Sequence, residues 1–278
     1  MTHSIPNTPK PGSIEEPESN RLAAILVRAS FVALFVLLSP VYYLNRWDFK
    51  RNTKRNPFYT SKLVRLQERY PPLYDLAQWV QNFPVAHRVY KVLPDFSGDV
   101  LQVGCGTGLL NQYMRGRSDI RFTNLDPNPN ALYFGVKLKR YSTCVNAYID
   151  KPTPLQDQSF DVILFARSFH HVRNHKKAFK ECSRLLRDGG VIIIVDPVVL
   201  EANNENSTGY MANSSIDGVI WRFTKHTFIK HLESCLPETL SILSVNYIRQ
   251  AHITNYNLFV PQTDAIAVLK KEERLPCK

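Results

Sequence analysis

A glycine-rich run after a short apolar stretch holds the first residues whose types and spacing could do chemistry. Residues 99–108 end in Gly104, Cys105, Gly106, Thr107 and Gly108. Glycine permits positive φ angles and close approach of the backbone, and the amides at the start of a following helix can face a polar ligand. The pattern predicts a cradle for such a ligand, although a plain strand-to-helix turn has the same signature. A dinucleotide fingerprint would need a third glycine at position 109, where Leu stands.

An acid at the end of the next predicted strand favours the ligand-binding alternative. Residues 119–126 form a short β-like run that ends in Asp126, about 20 residues after the first glycine. In open α/β sheets an acid at this point lies beside the ribose of a nucleoside bound at the first turn. Its carboxylate can accept hydrogen bonds from both ribose hydroxyls, so the two motifs together indicate a nucleoside-containing ligand.

Four segments carry a resemblance to a known family. The glycine run and Leu125-Asp126-Pro127 resemble motifs I and II of the class I S-adenosylmethionine-dependent methyltransferases. Residues 157–172 and 178–190 resemble the type 11 branch of that class, which includes the ubiquinone- and menaquinone-pathway methyltransferases. The resemblance covers residues 72 to 271 and is specific for the cofactor rather than for the methyl acceptor.

This resemblance implies a set of functional residues and a cofactor, S-adenosylmethionine. The residues expected to bind it are Gly104, Cys105, Gly106, Gly108, Asp126, Pro127 and Asp150. Asp150 would accept from the adenine amine, with Asp157 as the alternative. His170 or His171, after the fourth predicted strand, could act as the base for a phenol or an activated carbon, or could only shape the pocket. Cys105 is expected to pack rather than to act as a nucleophile.

The elements that must position these residues alternate between strand and helix, which predicts a parallel sheet with right-handed crossovers. We expect an α/β fold with a seven-stranded, mostly parallel Rossmann-like sheet, helices on both faces, a C-terminal antiparallel strand and a preceding hydrophobic helix. Predicted strands are 99–103, 120–125, 142–147, 160–166, 190–195, 240–249 and 264–269, and predicted helices are 107–116, 128–138, 174–187 and 225–235. Residues 197–235 depart from the repeat: 201–215 is predicted to be a mobile polar segment, either a wall of the substrate site or a variable surface loop.

Composition limits the classes of function. The 278 residues include five scattered cysteines without C-x-x-C spacing, which argues against a disulfide framework or a zinc site and fits a reducing compartment. The net charge of +11 is concentrated, because residues 46–69 hold eight basic and two acidic residues. A positive patch beside an apolar segment indicates anionic membrane lipid before nucleic acid. No metal is expected.

The N-terminal part predicts attachment to a membrane. Residues 22–44 contain one charge, Arg28, and as a helix they would measure about 35 Å, enough to cross a hydrocarbon layer of about 30 Å. Tyr42, Tyr43 and Trp47 resemble an interfacial aromatic belt, and the basic cluster that follows places the catalytic domain on the cytoplasmic side. A helix lying in the interface or packed on the domain is the alternative, because Arg28 and Pro40 both weaken a span.

These patterns define four regions and two functional hypotheses. The regions are a disordered tail at 1–20, a transmembrane or membrane-anchoring helix at 21–45, a basic juxtamembrane linker at 46–71 and a methyltransferase domain at 72–278.

The first hypothesis is methyl transfer from S-adenosylmethionine to a small, lipophilic acceptor at a membrane. The alternative is a non-catalytic, membrane-tethered scaffold on a methyltransferase fold, or an enzyme that methylates protein or nucleic acid. The acceptor and the oligomeric state do not follow from the sequence.

Overall fold

A computed structural model describes residues 21–75, 90, 93–114, 116–199, 209–214, 218–248 and 262–273. The predicted disordered tail at 1–20 and most of the predicted mobile segment at 201–215 lie outside these residues.

A seven-stranded mixed sheet forms the centre of the molecule. Its strands are β1 (Gly98–Val103), β2 (Ile120–Asp126), β3 (Cys144–Asn146), β4 (Phe160–Ala166), β5 (Leu186–Val199), β8 (Leu240–Tyr247) and β9 (Gln262–Lys271). Their order is β3-β2-β1-β4-β5-β9-β8, with β1 to β5 parallel and β9 antiparallel to both of its neighbours. The strand order reverses direction between β1 and β4, which is where open α/β sheets bind their ligands.

Helices cover the sheet on both faces. They are α3 (Leu109–Tyr113), α4 (Pro129–Lys137), α5 (His175–Leu185) and α6 (Lys225–Cys235), with a short 3-10 helix at Phe169–His171. Alternate residues of one strand enter different cores: Ile163 and Phe165 pack in the cluster that includes residues of α5 and α6, whereas Val162 and Leu164 pack in the cluster that includes Leu110 of α3. A strand segment buried on both faces must be apolar, which explains the apolar run from Val162 to Ala166 in β4.

The predicted elements of the sheet are present, with shifted ends. β4 matches its predicted bounds, but α3 is five residues long rather than the ten predicted, and β3 has three residues rather than six. β5 begins at Leu186, four residues earlier than predicted, because Leu186 already pairs with Phe160 across a local irregularity in the register. The predicted glycine stop of α5 at Gly189 and Gly190 therefore lies inside a strand.

The segment between β5 and α6 contains a hairpin that the sequence did not predict. β6 (Tyr210–Ser214) and β7 (Gly218–Arg222) pair with each other as a separate two-stranded antiparallel sheet. β7 lies against the 3-10 helix that carries His170 and His171. The insertion is thus placed next to the 3-10 helix that carries the two predicted histidines.

The elements that precede the sheet include helices α1 (Arg21–Thr53) and α2 (Lys62–Arg69). α1 extends beyond the predicted anchor, and α2 lies in the predicted linker. The two helices are joined by polar contacts: Asn45 accepts from the backbone amide of Leu63 at 3.2 Å, and Asp48 accepts from the Tyr59 hydroxyl at 2.9 Å.

Within the described part of the chain, no helix combines the length and the apolar character that a membrane crossing needs. The backbone of α1 is described throughout, but most of its side chains between residues 21 and 38 are not.

Candidate functional site

The glycine run forms a tight loop between β1 and α3. Gly104, Gly106 and Gly108 have φ angles of +66°, +54° and +80°, which disfavour any residue with a Cβ atom. The backbone amides of Gly104 and Cys105 donate to the Leu125 carbonyl at 2.7 and 3.2 Å, which ties the loop to the end of β2. These two loop amides therefore donate hydrogen bonds within the protein. What the loop offers a ligand is mainly a backbone that the ligand can approach closely.

Asp126 lies at the carboxyl end of β2 and links the two predicted motifs directly. One carboxylate oxygen accepts from the Gly106 amide at 2.8 Å, and the other accepts from the Asn128 amide at 2.8 Å. Burial raises the pKa of the carboxyl, and these two amide hydrogen bonds act to lower it. A carboxylate has about four acceptor positions, so two accepted amides leave capacity for a hydroxyl pair.

Each glycine of the loop makes room for a different neighbour. A Cβ atom on Gly104 would collide with the side chain of Ser168, and one on Gly108 would lie 2.5 Å from the Tyr141 ring. The space beside Gly106 is more open, since the nearest atom to an added Cβ belongs to Tyr74, at 3.7 Å. The contact between Gly104 and Ser168 brings the start of the 3-10 helix against the loop.

The segment before the sheet is fastened to the same loop. Asp75, a helical residue, accepts from the Thr107 hydroxyl and forms a buried ion pair with Arg140 at 2.7 Å. Arg140 also donates to the Thr107 carbonyl at 3.1 Å. Tyr74, the residue before Asp75, lies close to the open side of Gly106.

The two predicted histidines differ in their environment. His170 is largely buried, and its Nδ1 is 2.8 Å from Oδ1 of Asp196, a fully buried residue of β5. His171 is exposed, with its ring centre 4.2 Å from that of His170. The Ser168 hydroxyl donates to the Val103 carbonyl at 2.6 Å, which anchors the turn that carries both rings beside β1.

The remaining predicted residues lie around this centre. Pro127 is exposed and leads into Asn128, whose side chain caps α4 by accepting from the amides of Asn130 and Ala131. Asp150 accepts from the backbone amide of Asn174 at 3.2 Å, so its described contact is with the start of α5 and not with the glycine loop. No contact in the described residues tests its predicted role toward adenine.

Cys105 is buried inside the loop. Burial raises the pKa of its thiol, and the nearby Asp126 carboxylate raises it further. A thiol is nucleophilic as its anion, so a raised pKa favours the packing role expected from the sequence.

Sequence reasoning missed three contributors to the site: Tyr141, Arg140 and the Asp196 partnership with His170. Tyr141 packs against Gly108 and donates to the Gly106 carbonyl at 3.0 Å. Its only sequence signal is a glycine, Gly135, six residues earlier, where an added Cβ would also collide with the ring. Asp196 stands at the end of the continuous apolar run of β5, and this position is the signal that could have paired it with the end of β4.

Comparison with known proteins identifies the domain. Residues 101–194 match the family model described as Methyltransferase domain. Thiol S-methyltransferase TMT1B from Mus musculus is 33% identical over 117 residues, which is 39% of this chain and 47% of that protein. The UbiE ubiquinone/menaquinone biosynthesis C-methyltransferase from Geotalea daltonii is 27% identical over 152 residues, covering 49% of this chain and 65% of that protein.

A solved structure shares the fold. An S-adenosylmethionine-dependent methyltransferase from Thermotoga maritima aligns with a TM-score of 0.51 at 18% identity, over 76% of this chain and all of that one. The chain spans about half the length of the thiol S-methyltransferases it matches. The match of residues 101–194 shows a methyltransferase domain, whose cofactor is S-adenosylmethionine, and the solved structure shows the fold.

Proposed function

We propose that this protein transfers a methyl group from S-adenosylmethionine to a small, lipophilic acceptor at a membrane. The observation that carries the transferase part is the pairing of Asp126 with the Gly106 amide at the point where the strand order reverses. That pairing holds a carboxylate beside a loop whose backbone a ligand can approach closely.

The residues present fit the methyl donor. Asp126 supplies acceptors for ribose hydroxyls, and the open space beside Gly106 leaves room for a polar tail next to the backbone. S-adenosylmethionine supplies an electrophilic methyl group on a positively charged sulfur. The protein's part is to align the acceptor with that methyl group, to exclude water and to take a proton where the acceptor carries one.

His170 and His171 are the proposed candidates for that proton transfer. Both follow β4 at the carboxyl edge of the sheet, and Ser168 holds their turn against Gly104. Asp150, which lies beyond the end of β3 at the same edge, is proposed to accept from the adenine amine. The relatives support a small-molecule acceptor, because they are named as enzymes of thiol methylation and of quinone biosynthesis.

The membrane part of the proposal rests on the surface of α1 and α2. Exposed apolar side chains occur on the described part of α1 at Leu37, Val41, Tyr43, Leu44 and Trp47. The basic residues between 46 and 69 belong to the same two helices and their connection. Apolar side chains next to a basic cluster bind to the headgroup boundary of an anionic bilayer, either as an interfacial helix or beside a span.

Attachment through these helices would place the catalytic domain at the surface of the membrane, on its cytoplasmic side. A lipophilic acceptor is concentrated in that layer, so confinement of the enzyme there raises the frequency of encounter. This is the reason to infer a lipid-like acceptor rather than a freely soluble one.

Two measurements test the proposal. Isothermal titration calorimetry of the full chain in detergent with S-adenosylmethionine should show one saturable site. A non-catalytic scaffold that has lost the cofactor site would show no heat of binding.

The second measurement concerns the acceptor. Incubation of the protein with methyl-labelled S-adenosylmethionine and a total membrane fraction should place the label in the organic extract. Label confined to protein, nucleic acid or the aqueous phase would overturn the lipophilic-acceptor part. A variant with Leu44 and Trp47 both changed to Ser separates membrane binding from donor binding. It should co-sediment less with vesicles containing anionic lipid, and it should bind the donor normally.

A further inference from the structure

Asp196 is a buried acid whose environment is unusual for a structural residue. Its side chain is fully buried, Oδ1 lies 2.8 Å from His170 Nδ1, and Oδ2 has no hydrogen-bond partner in the described part of the chain. Burial of a carboxyl group that lacks full hydrogen bonding is costly. Such a group is retained where it has a task, and here its side-chain hydrogen bond is with a histidine ring.

The charged groups around Asp196 come from four elements. Arg167, at the end of β4, directs its guanidinium to Asp264 of β9 at 2.5 Å, and its φ of +56° shows a strained backbone at this point. His170 and His171 stand on the 3-10 helix, and His175 begins α5. Arg167 is engaged by Asp264, and Asp196 is held against the 3-10 helix by the His170 ring and by the backbone amides of Phe169 and His170.

These neighbours set the protonation of the acid. Burial raises the pKa of the Asp196 carboxyl to about 8, although the positive charges of Arg167 and His171 act to lower it. Burial likewise lowers the pKa of His175 to about 3, so that ring is neutral near pH 7 and adds no positive charge. Burial therefore favours the protonated acid, whereas the charges of Arg167 and His171 favour the carboxylate, the form that accepts a hydrogen bond from His170.

Hydrogen bonding to Asp196 also decides which nitrogen of His170 is basic. When the carboxylate accepts from Nδ1–H, the neutral imidazole carries its lone pair on Nε2. A histidine held in this way by a buried acid can take a proton at Nε2 and stabilise the resulting charge through the acid. His171 is exposed, so of the two rings His170 is the one positioned for this task.

We propose that Asp196 is a positioning residue that makes His170 the general base, and that the methyl acceptor is therefore a nucleophile that loses a proton on methylation. This inference rests on the methyl transfer proposed above and narrows its acceptor to compounds with an acidic O–H, S–H or C–H group. Tertiary amines and thioethers, which become methylated cations without losing a proton, are excluded.

The step balances as follows. The acceptor's electron pair forms a bond to the methyl carbon, and the electrons of the carbon–sulfur bond return to sulfur, which becomes a neutral thioether. The acceptor's proton moves to His170 Nε2, and the imidazolium that results is paired with the Asp196 carboxylate. Release of that proton to solvent restores the neutral ring.

The first test reads the tautomer of His170 in the unmodified protein. Two-bond proton–nitrogen NMR of the full chain in detergent, with nitrogen-15 histidine, assigns the ring by comparison with His170→Gln. At pH 9 we expect the proton on Nδ1 and a bare Nε2. A proton on Nε2 at that pH would overturn the proposal, and this measurement requires neither an acceptor nor the donor.

The second test removes the charge of Asp196 and keeps its shape. Asp196→Asn should lower the pH midpoint of the His170 ring signals by about one unit or more, because an anionic partner no longer favours the charged ring. An unchanged midpoint in a folded variant contradicts the role given to Asp196. His226→Gln, on the exposed face of α6, is the matched control and should leave the His170 signals in place.

Turnover separates this inference from the proposed function. Asp196→Asn should bind S-adenosylmethionine like the unmodified protein by calorimetry, while label transfer into the organic extract falls about 10²- to 10⁴-fold, the range of general base catalysis. The pH at which the transfer rate rises should move with the His170 midpoint. Loss of donor binding in the unmodified protein would refute the proposed function, yet the NMR result would still decide the role of Asp196.

Discussion

Replacement of Asp126 by Asn tests the donor site at its most informative position. Asn keeps the size of the side chain and one carbonyl oxygen, which can still accept from the amide of either Gly106 or Asn128. Its NH₂ group then faces the other amide, donor against donor, where the carboxylate accepts at 2.8 Å. The variant also presents to the ribose a neutral amide in place of an ionised acceptor.

The magnitude follows from the bonds that are lost. A hydrogen bond to a charged group contributes about 1.5–3 kcal/mol, and about 1.4 kcal/mol corresponds to a factor of ten in affinity. Loss of one such bond to the ribose therefore predicts a dissociation constant for S-adenosylmethionine that is about 10- to 100-fold higher. The unpaired amide separately lowers the free energy of unfolding by about 1–3 kcal/mol, since a buried donor is left unsatisfied.

The assay is calorimetric titration of the donor at 25 °C, with urea unfolding to measure stability independently. Asp119→Asn is the matched control: Asp119 stands just before the other end of β2, where its described ion pair is with Arg117 at 2.8 Å on the surface. That variant should bind the donor normally. A folded Asp126→Asn protein with a dissociation constant within threefold of the original would refute the assignment of the site.

Two further predictions concern stability. Gly108→Ala should lower the free energy of unfolding by about 2–5 kcal/mol, because it combines a positive φ with a Cβ atom 2.5 Å from the Tyr141 ring. Gly106→Ala has a positive φ but open space beside it, so it should lower the free energy of unfolding by only about 1–2 kcal/mol. Equal losses for the two variants in urea unfolding would contradict this explanation. Burial lowers the pKa of His175 to about 3, so below pH 6.5 the unfolded chain binds a proton that the native protein does not. The free energy of unfolding should therefore decrease as the pH is lowered from 6.5 toward 3, by up to about 1.4 kcal/mol per pH unit. In His175→Gln this slope should be smaller by that amount between pH 4 and 6, and an unchanged slope would show that His175 titrates normally in the folded protein.

The parts of the fold that the sequence predicted well are those fixed by local pattern. β4 contains an apolar run from Val162 to Ala166 that is followed by Arg167, so the end of the strand follows from composition. α6 matched its predicted bounds because Thr224 caps it, with Thr227 returning the hydrogen bond. Glycines that need positive φ and an acid at a strand end are likewise visible without a structure.

The parts that the sequence could not predict depend on distant partners. β5 begins at Leu186 only because Phe160 is there to pair with it. β6 pairs with β7, although β6 belongs to a polar segment in which the sequence analysis predicted no strand. Helix α3 ends early, at Tyr113, and the next residue, Met114, is buried in the core beside Val100. Each of these features is decided by tertiary packing and not by residue type.

The membrane anchor stays a prediction of the sequence. Its backbone is helical, as expected, and helix α1 continues to Thr53 because the side chains of Asn52 and Thr53 donate back to the carbonyls of Asp48 and Phe49 at 2.8 Å. The basic residues that were expected in a linker therefore stand partly on a helix, where their spacing is fixed.

The attachment of Asp75 to Thr107 and Arg140 has a practical consequence for anyone who trims this chain. A cut placed at the first sheet strand, near residue 95, would discard the acid that closes the glycine loop and leave Arg140 buried beside an empty position. A shortened version designed for crystallisation should therefore start ahead of Ser61, the cap of α2, so that the two asparagines at 128 and 130 also keep their acceptor at Glu68.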